Sequence, residues 1–127
     1  MESKKEIVAT FINKLFESRE LAHMYHLQSE SYSKHIALQE YYDNVLDLID
    51  SLVEGWQGKY ITIIEDYDII RDANGDKSDV LAYFKELGTW IESNKIDCFE
   101  EDSFLLNITD EVCLLIYKTI YKLNFLE

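Results

Sequence analysis

The chain has 127 residues, a formal net charge of −13 and 47% hydrophobic residues, enough for one domain spanning residues 1–127 with its own core. A surface this acidic repels a phosphate backbone, which excludes direct nucleic-acid binding. No apolar run reaches the length of a membrane span, which excludes a transmembrane helix.

Proline is absent and only four glycines occur, so little interrupts long helices. An all-α class follows. Cys98 and Cys113 form no metal-binding or redox motif and read as reduced thiols of a cytoplasmic protein. The opening residues Met1 to Glu6 lack the apolar core of a signal peptide.

The first helix is expected from Ser3 to Gln28. Ser3 is the N-cap, with Glu6 three residues on to complete a capping box. Ile7, Val8, Phe11, Ile12, Leu15, Ala22 and Tyr25 fall on one face at helical spacing. His26 projects near the middle of that face, and His23 sits toward its edge. The polar stretch Ser29 to Ser33 is short. It turns the chain back, so the second helix runs antiparallel to the first.

The second helix is expected from Lys34 to Trp56, capped by Ser31 or Ser33. Leu38, Tyr41, Tyr42, Val45, Leu46, Ile49, Leu52 and Val53 form its apolar face. His35, Gln39, Asp43, Asp50 and Glu54 follow one flank of that face. Gly55 and Gly58 are expected to end it.

Tyr60 to Lys77 reads as a long connection. Its β-branched Ile61-Thr62-Ile63-Ile64 run has no partner strand and is expected to be extended. Asp72-Ala73-Asn74-Gly75-Asp76 is a turn that lacks the ligand positions of a calcium loop. The third helix starts after Asp76 or Ser78 and ends near Asn94. The fourth starts near Asp102 or Ser103 and runs to the end. Charge is sparse between Val112 and Tyr117, so the fourth is expected to be the most buried. Two helices, a long crossover and two more helices make a ferritin-like four-helix bundle.

Imidazole and carboxylate together are a ligand set for iron, zinc or manganese. The short turn makes neighbours of His26 and His35. Asp50 and Glu54 lie over about 20 Å further along the second helix, by helix rise. Only a second, antiparallel subunit could bring its Asp50 and Glu54 to these histidines. A metal site therefore requires an oligomer.

The stretch from His26-Leu27-Gln28 through Glu54 resembles the helix-loop-helix signature of the Dps mini-ferritins. His35, Asp50 and Glu54 match at the family's mutual spacing. The first histidine matches either as His26, by its neighbours, or as His23, by its separation from His35. Leu27 replaces the family's Trp, Gln39 stands where another acidic ligand is usual, and Ser31-Tyr32-Ser33 replaces the family's glycine loop. Ser33-Lys34-His35-Ile36-Ala37-Leu38 and Ile120 through Leu126 resemble small ferritin-like proteins of bacteriophages. The resemblance implies iron bound between subunits by His23 or His26, His35, Asp50 and Glu54. It also implies iron(II) oxidation and storage, a homo-oligomer that is a dimer or a Dps-like dodecamer, and a bacterial cytoplasm as location. The rival expectation is a non-catalytic accessory protein of the same fold. It would bind a host protein or a small molecule, with its acidic surface imitating DNA.

Overall fold

The computed structural model describes residues 3–68 and 79–126. They form four helices: α1 (Lys4–Gln28), α2 (Tyr32–Tyr60), α3 (Val80–Phe99) and α4 (Ser103–Phe125). The all-helical expectation holds, with a long connection between α2 and α3. The turn expected at residues 72–76 lies outside the described residues.

Local chemistry sets most of the boundaries. The Ser3 hydroxyl accepts the Glu6 backbone N–H at 3.2 Å and opens α1. The Ser31 hydroxyl does the same for the Lys34 N–H and opens α2. Two expectations are corrected. Gly55 and Gly58 lie inside α2, which continues to Tyr60 and closes with Ile61 in the left-handed region at φ 50°. α3 runs more than a turn beyond Asn94, to Phe99.

Gly55 has a packing reason to be glycine. A Cβ there would lie 3.0 Å from Leu105 Cδ2, so its absence lets α2 and α4 approach closely. Gly58 has open space around it.

The helices form a ring in which α1 touches α2 and α3, and α4 touches α2 and α3. Each end of the bundle is tied by side chains. At one end Lys4 binds Glu100 at 2.7 Å, while Lys59 and Tyr60 both bond to the Asp102 carboxylate. Toward the other end Lys122 pairs with Glu40, and Tyr83 donates to Glu17 at 3.2 Å. These ties fix the directions. α1 and α4 run one way, α2 and α3 the other, and every adjacent pair is antiparallel. The connection must therefore travel the length of the bundle. Its described part crosses α1, where the Asn13 side chain donates to Asp66 O and accepts from the Asp68 N–H.

The core is one continuous cluster from all four helices. Phe11 packs edge-on to Phe99 at 5.2 Å between ring centroids, and Tyr41 edge-on to Phe84 at 4.9 Å. The fully buried phenol of Tyr41 is satisfied. Ser18 Oγ donates to Leu15 O at 2.6 Å and accepts from the Tyr41 hydroxyl at 2.7 Å.

α4 is not sunk in the core as expected. Each helix of a four-membered ring has two neighbours and one outward face. On α4 that face carries Phe104, Leu114, Tyr121 and Phe125, exposed by 49%, 55%, 56% and 68%. Sparse charge here marks an apolar outer surface, not deep burial.

Candidate functional site

The α1–α2 turn brings His26 and His35 together, as their spacing requires. Their rings stack with centroids 3.5 Å apart and planes 24° apart. His26 Nδ1 lies 2.6 Å from the carbonyl oxygen of His35, and His35 Nδ1 lies 2.9 Å from that of His26. A carbonyl only accepts, so both Nδ1 atoms carry the proton and donate. The two residues form a reciprocal clasp across the turn. His26 is buried at its centre. His23 stands outside it, stacked on Tyr42 at 4.4 Å, and Tyr42 also meets the His26 ring edge-on at 5.3 Å.

This geometry does not suit a metal. Lone pairs on the Nε2 atoms lie in the ring planes. Two nearly parallel planes 3.5 Å apart cannot both aim at one ion about 2 Å from each nitrogen. Asp50 and Glu54 are exposed on α2, 15 and 19 residues from His35, or about 22 and 28 Å of helix. Among the described residues no group of three or more His, Cys, Asp or Glu side chains is placed to hold a metal ion. The expected iron site at His23, His26, His35, Asp50 and Glu54, with its ferroxidase and storage function, is therefore corrected. The histidines close a turn, and the carboxylates belong to a solvated helix face.

The cysteines are no better suited to chemistry. Cys98 and Cys113 are free and buried. Cys98 faces the Ile7 carbonyl oxygen at 3.7 Å, and burial pushes its thiol up to about 12. Burial raises Cys113 as well. Neither offers a thiolate at neutral pH. Beside Cys98, an open cleft of about 700 Å³ separates the start of α1 from the end of α3, lined by Lys4, Thr10, Trp90, Asn94 and Glu101. Lys4 is its cation, and Glu100 already pairs with it.

The outward face of α2 carries a regular row of carboxylates. Asp43, Asp47, Asp50 and Glu54 are all exposed and follow one another at intervals of four, three and four residues. That spacing is a single stripe along the helix. It extends over about 16 Å of axis, or one negative charge per about 5.5 Å. Among the described residues none of the four takes part in an ion pair.

Residues 26–123 match the model of a family of unknown function (DUF5856). The chain belongs to this family. No curated protein and no solved structure matches it. The DUF5856 match starts at His26 and ends at Leu123, so it takes in the histidine clasp, the acidic stripe and the last buried residue of α4. In this DUF5856 member two features escaped the sequence reading. One is the full carboxylate stripe, because Asp50 and Glu54 were read as ligands, Asp43 only as part of the flank, and Asp47 as nothing. Its four-three-four spacing was visible all along. The other is the outer face of α4, whose spacing is hidden behind the stronger apolar pattern of the inner face.

Proposed function

We propose that the protein works by binding, and that the α2 stripe of Asp43, Asp47, Asp50 and Glu54 docks on a cationic surface of another protein. The observation that carries this reading is the spacing. One charge per about 5.5 Å of a straight helix is within a factor of two of the one per about 3.4 Å along a single DNA strand. A surface evolved to track phosphates would meet a comparable row of anions. The formal charge of −13 adds long-range attraction to the same kind of partner. The clasp imidazoles of His26 and His35 are occupied in bonding backbone carbonyls, and both thiols are buried, which leaves the exposed carboxylates as the groups free to meet a partner.

The helix order supports a ferritin-like arrangement, with antiparallel α1 and α2, antiparallel α3 and α4, and a crossover as long as the bundle. The reading carries the topology without the iron chemistry. Two free thiols support a reducing compartment, the cytoplasm. No described helix is long and apolar enough to cross a membrane.

A competition experiment tests the reading. A short labelled duplex is bound to a sequence-independent, basic DNA-binding protein, and its release is followed by fluorescence anisotropy. The wild-type chain should displace the duplex, increasingly so at low salt. The variant D43N/D47N/D50N/E54Q should lose most of that displacement while keeping its helical circular dichroism. Equal displacement by both chains, or none by the wild type, would overturn the proposal.

A further inference from the structure

The outer face of α4 has an order of its own. Phe104, Asn107, Glu111, Leu114, Lys118, Tyr121 and Phe125 are all exposed and recur at alternating intervals of three and four residues. This is the seam spacing of a coiled coil. It lies opposite the buried series Leu105, Thr109, Val112, Ile116, Thr119 and Leu123, which faces the bundle. One helix thus carries two seams, of which its own chain covers one.

The uncovered seam is matched about its middle, with Phe at both ends, Leu114 at the centre and opposite charges on either side of it. Counted outward from Leu114, Glu111 on one side answers Lys118 on the other. Asn107 answers Tyr121, and Phe104 answers Phe125. A seam with this symmetry is complementary to itself when two copies run antiparallel. We propose that α4 packs against α4 of a second copy about a two-fold axis at Leu114. The two Leu114 side chains meet at the axis, and Glu111 meets the partner's Lys118 on either side. Asn107 meets the partner's Tyr121, and Phe104 the partner's Phe125. The contact runs about 32 Å, from Phe104 to Phe125.

Charge decides for a second copy. The flanking charges Asp110 and Lys122 are already used within the chain, by Lys95 at 3.0 Å and by Glu40. Among the described residues Glu111 and Lys118, the two charges on the seam itself, take part in no ion pair. They stand seven residues apart with Leu114 between them, where a two-fold axis pairs each with the other's opposite. The α2 face that a mini-ferritin-style pair would use is, by contrast, lined with Asp43, Asp47, Asp50 and Glu54, and two such faces repel. The α4 contact leaves that stripe open, so it holds or fails independently of the function proposed above.

A charge-swap cycle, read by sedimentation equilibrium on the full chain, tests the pairing. The wild type should sediment as a dimer. E111K sets Lys against Lys at two symmetric points, and K118E sets Glu against Glu. Each single change should weaken the dimer by at least about tenfold, since two lost and two repulsive contacts exceed 1.4 kcal/mol together. The double variant E111K/K118E restores opposite charges with the sign reversed and should recover the dimer. Both positions are exposed, so circular dichroism should stay unchanged. A wild type that sediments as a monomer would overturn the pairing. So would a dimer indifferent to the single changes, or a double variant as weak as the singles.

Discussion

At the end of a helix the last carbonyls lack intrahelical donors, and a nearby imidazole is a ready source of one. His35 supplies one to the His26 carbonyl near the end of α1, and His26 answers by bonding the His35 carbonyl in the first turn of α2, so each ring ties the other's backbone. Such a pair closes the turn between α1 and α2 without glycine or proline. His26→Ala removes a buried ring and one bond and is expected to cost about 2–4 kcal/mol in urea unfolding. His35→Ala removes a half-exposed ring and leaves His26 able to reach the same backbone carbonyl, so it should cost about 1 kcal/mol. Equal costs would mean that the clasp is not organised around the buried partner.

α2 shows how an element can outrun its own local signals. Glycine costs a helix interior about 1 kcal/mol relative to alanine, and two of them near Trp56 read as an ending. The helix passes through because its buried residues Leu52 and Trp56 dock on the core on either side of Gly55. The two glycines are not equivalent. Gly58→Ala enters open space and is expected to raise stability by about 0.5–1 kcal/mol. Gly55→Ala must push the buried Leu105 side chain, and its helical gain should be cancelled or reversed. The helix then stops at Ile61, a β-branched residue held at φ 50° with its side chain in solvent. Ile61→Gly relieves that strain and is expected to stabilise by about 1 kcal/mol. Thermal unfolding of the three variants checks both statements.

For the molecule as a whole, the join between the two helical pairs rests on Asp102. The hydrogen bond from Lys59, then that from Tyr60, hold its carboxyl below the usual aspartate range, and Asp102 in turn raises the Lys59 ammonium. A carboxyl lowered by folding adds stability that is complete above its unfolded value, near pH 4, and is lost as pH falls through the lower folded value. For Lys59 the sense is opposite. Its share is complete below its unfolded value, near pH 10, and disappears as pH rises through the raised one. The stability difference between wild type and Asp102→Asn should therefore be flat across neutral pH and shrink below about pH 4. Chemical denaturation across that range measures it, and a difference that persists in acid would remove Asp102 from this role.

The helical class, the first two N-caps, the tight α1–α2 turn and the meeting of His26 with His35 were all legible in the sequence. Each depends on neighbours close along the chain, where hydrogen-bond geometry and helical period act over a few residues. The purpose of those histidines was not legible. Ligand and clasp require the same two residues at the same spacing, and they differ only in ring orientation, which the packed turn decides. The end of α2 and the role of α4 were hidden for a related reason. Whether a glycine breaks a helix, and whether an apolar stripe faces inward, depends on which other helix lies against it. Those contacts join residues dozens of positions apart, and only the folded bundle brings them together.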